Sequence, residues 1–360
     1  MNLTLSLTHN CQFRCDYCYA GQKYHKPISK ETILKAIEFT LQIPMRRLEF
    51  GFFGGEPLME WELFKFATCE MERETKKRDI ELIKTFTTNG VLLDSEKVAW
   101  LREHGFYVVV SIDGDEVMHD THRRYRGGKS TFTDVKIGIE ELQKVYRDDE
   151  YAVISVVTPQ NIHRLNSSVR YLYEEMGISD IHLALNYFTE WGDETEEYSK
   201  VYHLLGDYVI EQYRNNKKIA IDIIDGKIRS AIEAKCSSCS FGELKIAVAP
   251  SGNIYPCERL IGEDSGELSI GNVYSGFDHS RRNELISQRG NSNEECKTCP
   301  LKDRCTNSCG CTNYTLTNSI NTTNGVVCFF QKLFIEVADR VGATLYEEKN
   351  IGFLERFYGE

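Results

Sequence analysis

The chain has no stretch of about 18 apolar residues, so no segment reads as a membrane-spanning helix. Its N-terminus, MNLTLSLTHNCQF, has neither a charged leader nor a long apolar run, and no signal peptide is expected. A basic excess is missing too. Lys and Arg number 43 against 54 Asp and Glu, for a net charge of −11. Nucleic-acid binders usually carry the opposite footprint. No internal repeat and no low-complexity tract appear. The most telling gap concerns cysteine, which is absent from 70 to 235. There are 13 cysteines: three at 11, 15 and 18, one at 69, and nine between 236 and 328. An odd number bunched in this way does not read as a disulfide framework. Without export signals the expected compartment is the reducing cytoplasm, where clustered thiols read as metal ligands.

A length of 360 residues suggests two domains at about 150 residues each. The apolar content of 41% and charged content of 27% are ordinary for a globular chain. Apolar runs at Leu3–Leu7, Leu48–Phe53, Leu82–Thr87, Tyr107–Ile112, Ala152–Val157 and Ile181–Leu185 read as strands. Between them Lys30–Leu41, Trp61–Lys77, Ser95–His104, Thr133–Val145 and Ser167–Met176 have helical period. This alternation predicts an α/β fold with a mostly parallel sheet. Six units are too few for a closed eight-stranded barrel and fit a partial (β/α)6 TIM barrel, with its site at the C-terminal ends of the strands. Residues 191–235 read as one or two helices. Beyond them the composition shifts to Cys, Gly, Asn and Ser. The expected domains are 1–228 for the barrel, 229–330 for a small irregular Cys-rich iron–sulfur domain, and 331–360 for a C-terminal helix and tail. Bound metal would supply folding energy to the middle segment.

Cys11-x3-Cys15-x2-Cys18 follows the first strand directly. Three soft thiolates on one short loop can bind three irons of a 4Fe–4S cube and leave the fourth open. Zinc, with His9 as fourth ligand, is the alternative. Gly54-Gly55-Glu56-Pro57 closes the second strand. Two glycines there let backbone approach a ligand closely, with carbonyls to hold an ammonium; a plain turn is the simpler reading. Thr88-Asn89-Gly90 ends the third strand, and Ser111-Ile-Asp113-Gly114 the fourth, followed by His119-Asp120 and Arg123.

Together these motifs resemble the radical S-adenosylmethionine (SAM) enzymes, whose hallmark is CxxxCxxC with an aromatic residue before the last cysteine, followed by GGEP. The resemblance implies SAM on a 4Fe–4S cluster held by Cys11, Cys15 and Cys18. Tyr17 and Leu185 would border the adenine. Gly54, Gly55 and Glu56 would serve the methionine amino group, Ser111 the ribose and Arg123 the carboxylate, which a guanidinium can grip through paired hydrogen bonds. Asp113 would support the site through backbone hydrogen bonds.

Further along, Cys236-x2-Cys239, Gly252-x4-Cys257, then Cys296-x2-Cys299-x5-Cys305-x3-Cys309 and Cys328 resemble the SPASM extension of peptide and protein modifiers. That resemblance implies two auxiliary 4Fe–4S clusters, one on Cys236, Cys239, Cys257 and Cys309, the other on Cys296, Cys299, Cys305 and Cys328. Should Cys236 not be a ligand, the first would keep an open iron. Cys69 reads as a small core residue, and Cys311 as a spare thiol, an alternate ligand or a catalytic group. Glu258 stands where sulfatase-maturing members carry a catalytic aspartate. It could act as a base or pair with Arg259 or another cation. Tyr187, Phe188 and Trp191 could line a substrate cavity or belong to the core.

The implied function is a maturase of a ribosomally made peptide, or of a protein. It would cleave SAM reductively to a 5′-deoxyadenosyl radical, abstract a hydrogen from the substrate, and oxidise or crosslink it. A flavodoxin or ferredoxin would supply electrons. The first strand starts at residue 3, so a peptide-recognition domain is expected on a separate protein or not at all. No nucleic acid or membrane partner is expected. A small-molecule radical SAM enzyme is the alternative, and a non-catalytic metal scaffold a third.

Overall fold

The structure, a computed structural model, describes residues 1–233, 239–290, 292–306 and 309–359. Cys236 lies outside the described residues. In chain order the elements are β1 (Asn2–Ser6), α1 (Lys30–Leu41), β2 (Arg47–Phe53), α2 (Trp61–Lys76), β3 (Glu81–Thr88), α3 (Ser95–Glu103), β4 (Phe106–Ser111), α4 (Glu116–His122), α5 (Phe132–Gln143), β5 (Tyr151–Val157), α6 (Leu165–Arg170), β6 (Asp180–Leu185), α7 (Thr195–Arg214), β7 (Ala220–Ile221) and α8 (Asp222–Ile232). The C-terminal third adds β8 (Lys245–Val248), β9 (Asn253–Tyr255), β10 (Gly271–Asn272), β11 (Gly276–Phe277), α9 (His279–Ser287), α10 (Glu294–Lys297), α11 (Gly310–Thr317), α12 (Gly325–Glu347) and α13 (Ile351–Tyr358). The alternation places the chain in the α/β class with parallel strands, as its apolar pattern predicts. No helix among the described residues is long and apolar enough to cross a membrane.

Two compact units share the sequence. The first is Met1–Ser111, His122–Tyr151 and Cys239–Arg289; the second is Ile112–Thr121, Ala152–Ser238 and Gly290–Glu360.

In the first unit β1, β2, β3 and β4 pair in parallel, with Leu3 opposite Phe50 and Phe52 opposite Phe86. Parallel neighbours need crossover helices, and α1, α2 and α3 lie between these strands in the chain. The side chain of Ser29 caps α1 by accepting from the Thr32 N–H. Aromatic side chains fill the space behind the sheet. The Phe64 ring centroid lies 4.0 Å from that of Phe52, 5.1 Å from that of Phe86, which it meets edge-on, and 5.2 Å from that of Phe106. Cys69 departs from expectation. It is exposed on α2, because the buried face of that helix is set by Phe64, Ala67, Thr68, Met71 and Thr75.

Part of the Cys-rich segment is more ordered than its composition suggests. β8 pairs in parallel with β1, and β9, β10 and β11 continue antiparallel from it. Ala247, Ala249, Tyr255 and Ile261 form a small core there with Leu268. Strands of two to four residues carry too little periodicity to register in sequence.

In the second unit β5, β6 and β7 pair in parallel. The helix expected at 167–176 is α6 followed by a π-helical turn over 171–175. The C-terminal helix starts before residue 331, where the sequence placed it: α12 runs unbroken from Gly325 to Glu347 and packs on α7 and α8. Phe330 meets Trp191 at 4.6 Å and Phe334 meets Tyr202 at 5.0 Å.

Truncation of Phe64 to Ala is expected to cost about 3–5 kcal/mol, because the fully buried ring leaves a cavity among three other rings. Urea unfolding of the variant against the parent checks this.

Candidate functional site

Because β1 to β4 are parallel, their C-terminal ends share one edge of the first unit's sheet. β1 leads into the cysteine loop, β2 into Gly54–Pro57, β3 into Asn89, and β4 ends on the buried Ser111. These segments are tied to one another. The N–H of Gly55 donates to Thr8 O at 2.8 Å, and the N–H of Glu56 donates to Asn10 O at 2.8 Å. A Cβ on Gly55 would lie 1.9 Å from Asn10 O; on Gly54, whose φ is +122°, it would lie 2.4 Å from Ser6 Oγ. The side on which a Cβ would project is thus filled by the chain's own residues 6 to 10. This amends the reading that these glycines make room for a ligand: their bareness lets the cysteine loop seat on the end of β2.

Glu56 is 1% exposed. Its carboxylate accepts from the Thr88 hydroxyl at 2.8 Å, the Asn89 N–H at 2.8 Å and the Leu58 N–H at 3.1 Å. Burial pushes its pKa up to about 7, opposed by these hydrogen bonds. Sequence reasoning placed Glu56 among the cofactor contacts, but its carboxylate is engaged in joining β2 to β3. Asn89, given no role of its own from the sequence, reaches the cysteines. Its Nδ2 lies 3.6 Å from Cys11 Sγ, and its Oδ1 accepts from Gln12 Nε2 at 3.4 Å.

Within the loop Cys11 is buried, Cys15 half-buried and Cys18 exposed. Burial, with Glu56 nearby, pushes the Cys11 thiol up to about 11. Such a buried sulfur becomes a thiolate readily only when a metal takes the place of its proton. The Cys18 N–H donates to Cys15 O at 3.2 Å, and Lys23 Nζ lies 3.0 Å from Cys18 Sγ. Three soft donors on one clasped loop, one of them adjoining a lysine, fit an iron–sulfur group. His9 is buried and stacked on Tyr24 at 4.6 Å, and burial lowers its pKa.

The structure brings Tyr17 and Arg123 together, with the guanidinium 5.3 Å from the ring centroid. His122 Nδ1 and an Asp16 carboxylate oxygen are 2.8 Å apart beside them. Leu185 ends β6 in the second unit and is buried. In that unit Asp113 accepts from the Val156 N–H at 2.9 Å, and its carbonyl from Ser155 Oγ at 2.7 Å. Trp191 belongs to the aromatic core around Phe330, whereas Phe188 is exposed.

Of the auxiliary cysteines, Cys239 and Cys257 belong to the first unit, and Cys296, Cys299, Cys305, Cys309 and Cys328 to the second. Glu258 pairs with Lys245, Nζ to Oε1 at 3.1 Å, and its Oε2 lies 3.6 Å from Cys257 Sγ. Burial is the largest single influence and raises the Glu258 carboxyl, but Lys245, a backbone hydrogen bond and Arg259 together bring the net shift downward. Burial pulls Lys245 down, and Glu258 with Cys257 returns it above the usual lysine range. The cation anticipated for Glu258 is therefore Lys245. Arg259 lies over the Tyr19 ring at 5.6 Å.

In the second unit the turns at Cys296–Cys305 are pinned by the buried Lys227. Its Nζ donates to Arg304 O and to Gln331 Oε1, both at 2.7 Å, and Gln331 Oε1 also accepts from the Thr306 N–H at 3.2 Å. Cys328 stands in the first turn of α12. Cys311 is buried with its sulfur 3.5 Å from that of Cys309. Neither Lys227 nor Lys245 was singled out in sequence. Each is one lysine among many charged residues.

Residues 5–172 match the sequence model of the radical SAM superfamily. Over 331 residues the chain is 25% identical to the cysteine-type anaerobic sulfatase-maturating enzyme of Clostridium perfringens, covering 83% of this chain and 85% of that protein. The serine-type enzyme of Klebsiella aerogenes is 22% identical over 323 residues, covering 83% and 76%. Among solved structures, native anSMEcpe with bound AdoMet and a peptide superposes with a TM-score of 0.81 at 23% identity, over 96% of this chain and 99% of that one. SuiB of Streptococcus suis, bound to its precursor peptide SuiA, gives 0.63 at 16% identity over 91% and 75%. At these identities the structures establish a shared fold.

Glu56→Gln is expected to cost about 1–3 kcal/mol, because an amide nitrogen would face the Asn89 N–H. The parent should also lose stability as pH rises from 4.5 to about 7, where the folded chain binds a proton that the unfolded chain releases. The variant should lack that component in denaturation midpoints measured across pH. Lys227→Met should cost about 1–3 kcal/mol, because it takes the ammonium donor from the Arg304 carbonyl and one of two donors from Gln331 Oε1. It should also lower retained iron after anaerobic reconstitution.

Proposed function

We propose, from the premise that residues 5–172 are a radical SAM domain, that this enzyme modifies a peptide or protein, oxidising or crosslinking a residue within it. The clasped loop of Cys11, Cys15 and Cys18 carries the reading. Its support for a peptide substrate is the similarity to a sulfatase-maturating enzyme over 83% of the chain, which extends beyond the domain into the Cys-rich region.

Cys11, Cys15 and Cys18 would hold a 4Fe–4S cluster with SAM on its open iron. Once bound, that pair supplies the one-electron cleavage and hydrogen abstraction that side chains cannot perform. The chain's own work is binding and orientation. Arg123, fixed over Tyr17, offers its guanidinium to the SAM carboxylate, and Tyr17 and Leu185 border the adenine. Ser111 takes the ribose. Gly54, Gly55 and Glu56 contribute backbone, since the Glu56 carboxylate is already engaged. Cys239, Cys257 and Cys309, with Cys236 among them in sequence, would hold one auxiliary cluster. Cys296, Cys299, Cys305 and Cys328 would hold a second. Glu258, with one oxygen fixed by Lys245, is the base that takes the substrate proton. A flavodoxin or ferredoxin is the reductant.

Anaerobic reconstitution should give about twelve irons per chain, four for each cube, together with 5′-deoxyadenosine when SAM and dithionite are supplied. Cys15→Ala should abolish that product. About four irons with cleavage would remove the auxiliary clusters from this account, and zinc without cleavage would overturn it. With a cysteine-containing sulfatase peptide or a small peptide encoded beside the gene, mass spectrometry should show loss of a hydrogen pair. Glu258→Gln should slow that modification by about a hundredfold or more while SAM cleavage persists.

A further inference from the structure

A basic strip runs along the cysteine loop of this acidic chain. Residues 121–130, THRRYRGGKS, contain four Lys and Arg and no Asp or Glu, within a chain of net charge −11; Arg123 is buried and the other three are exposed. The strip is built onto the loop by backbone pairing. Phe13 and Tyr125 form an antiparallel bridge, the Arg14 N–H donates to Arg124 O at 2.8 Å, and the Arg126 N–H donates to Gln12 O at 3.2 Å. Alternation along the pair then sorts the side chains. Phe13 is buried against Tyr125 at 5.3 Å, while Arg14, Arg124 and Arg126 are exposed. A second bridge, Arg124 to Ser130, folds the segment into a hairpin whose tip is Gly127-Gly128, with Lys129 exposed beside it. A Cβ at either glycine would meet nothing within 4 Å, so the tip stands in solvent. The acids recorded beside the strip are occupied: Asp16 with His122 at 2.8 Å and Asp134 with the Tyr125 hydroxyl at 2.6 Å.

We infer that this strip is the docking surface for an acidic one-electron carrier protein, of the flavodoxin or ferredoxin class. The inference rests on the radical SAM reading above and adds where the electron enters. In the encounter the carrier is oxidised by one electron and the centre held by Cys11, Cys15 and Cys18 is reduced by one. No bond is made or broken and no proton moves. The charge pattern favours such a partner. An acidic protein is repelled by the chain's net negative charge and attracted at this strip, and screening over about 8 Å at physiological salt keeps that attraction local. Complementary charge of this kind sets orientation and on-rate more than affinity. The position favours it as well. Arg14 sits between Cys11 and Cys15 in the chain, so a protein docked on the strip lies against the cysteine loop. A carrier needs only that proximity. A substrate must place one particular carbon at the reacting centre, which an exposed hairpin does not do.

The test compares the reconstituted enzyme with its Arg124→Glu/Lys129→Glu variant under two reductants. 5′-Deoxyadenosine formation is driven either by dithionite, which needs no docking surface, or by a reduced flavodoxin or ferredoxin. Binding of the oxidised carrier is measured separately by biolayer interferometry. The expected result is a loss of at least tenfold in carrier-driven rate and in carrier affinity, with the dithionite-driven rate within twofold of the parent. Equal losses under both reductants would overturn the proposal, as would a parent that accepts electrons from neither carrier. It would also be overturned by a variant that keeps its carrier-driven rate and loses peptide affinity, which would make the strip a site for an acidic peptide. A parent that forms no 5′-deoxyadenosine even with dithionite would instead sink the radical SAM reading, and the proposal with it.

Discussion

The buried carboxylate of Glu56 is the constraint on which the candidate site depends. Burying a carboxylate is costly, and here the cost is met by three donors from two different segments: Leu58, Thr88 and Asn89. The backbone N–H of the same residue reaches Asn10 in the cysteine loop. One residue therefore makes a single piece of the ends of β2 and β3 and the loop after β1. The two glycines before it carry no side chain that would hold the loop away. A loop fixed in this way presents its three thiols at one place on the edge of the sheet, which is what a group bound by several cysteines requires.

Much of this was legible in the sequence. The six expected strands fall within one residue of those observed, and α1 matches residue for residue, because long apolar runs and helical period are local signals. The CxxxCxxC and GGEP motifs were legible as well, and their meeting follows from parallel strands sharing one edge. The details that were not legible are long-range. Thr88 and Glu56 are separated by 32 residues, and Asn89 and Cys11 by 78. No local pattern reports such pairs. Cys69 was misplaced for a different reason. Its residue type favours burial, but its position on α2 is set by larger side chains that claim the inner face.

Each unit contains a lysine that fixes a cysteine-bearing segment, and neither could be picked out from composition. Lys227 reaches Arg304 across 77 residues and Gln331 across 104, tying the 299–306 turns to α8 and α12. Lys245 opens β8 and meets Glu258 beside Cys257. A buried ammonium is costly unless its donors are used, and here they are spent on carbonyl, amide and carboxylate oxygens close to cysteines. Short turns rich in Cys, Asn and Ser bury little apolar surface, so such anchors hold in place what hydrophobic packing cannot.

The distribution of charge follows from the same problem. Iron–sulfur ligation would gather thiolates in a chain that is already acidic, and like charges crowded together raise one another's pKa. Cations stand at several of the cysteine segments. Lys23 lies against Cys18, Lys245 stands near Cys257, Arg289 donates to the carbonyl of Cys239, and Arg304 precedes Cys305 while pairing with Asp339. None of these positive groups changes the overall sign of the molecule. The exposed arginines around Arg14 extend this local counter-charge to the surface of the cysteine loop. A protein of net negative charge thereby gains a positive face at the loop where an electron would have to enter.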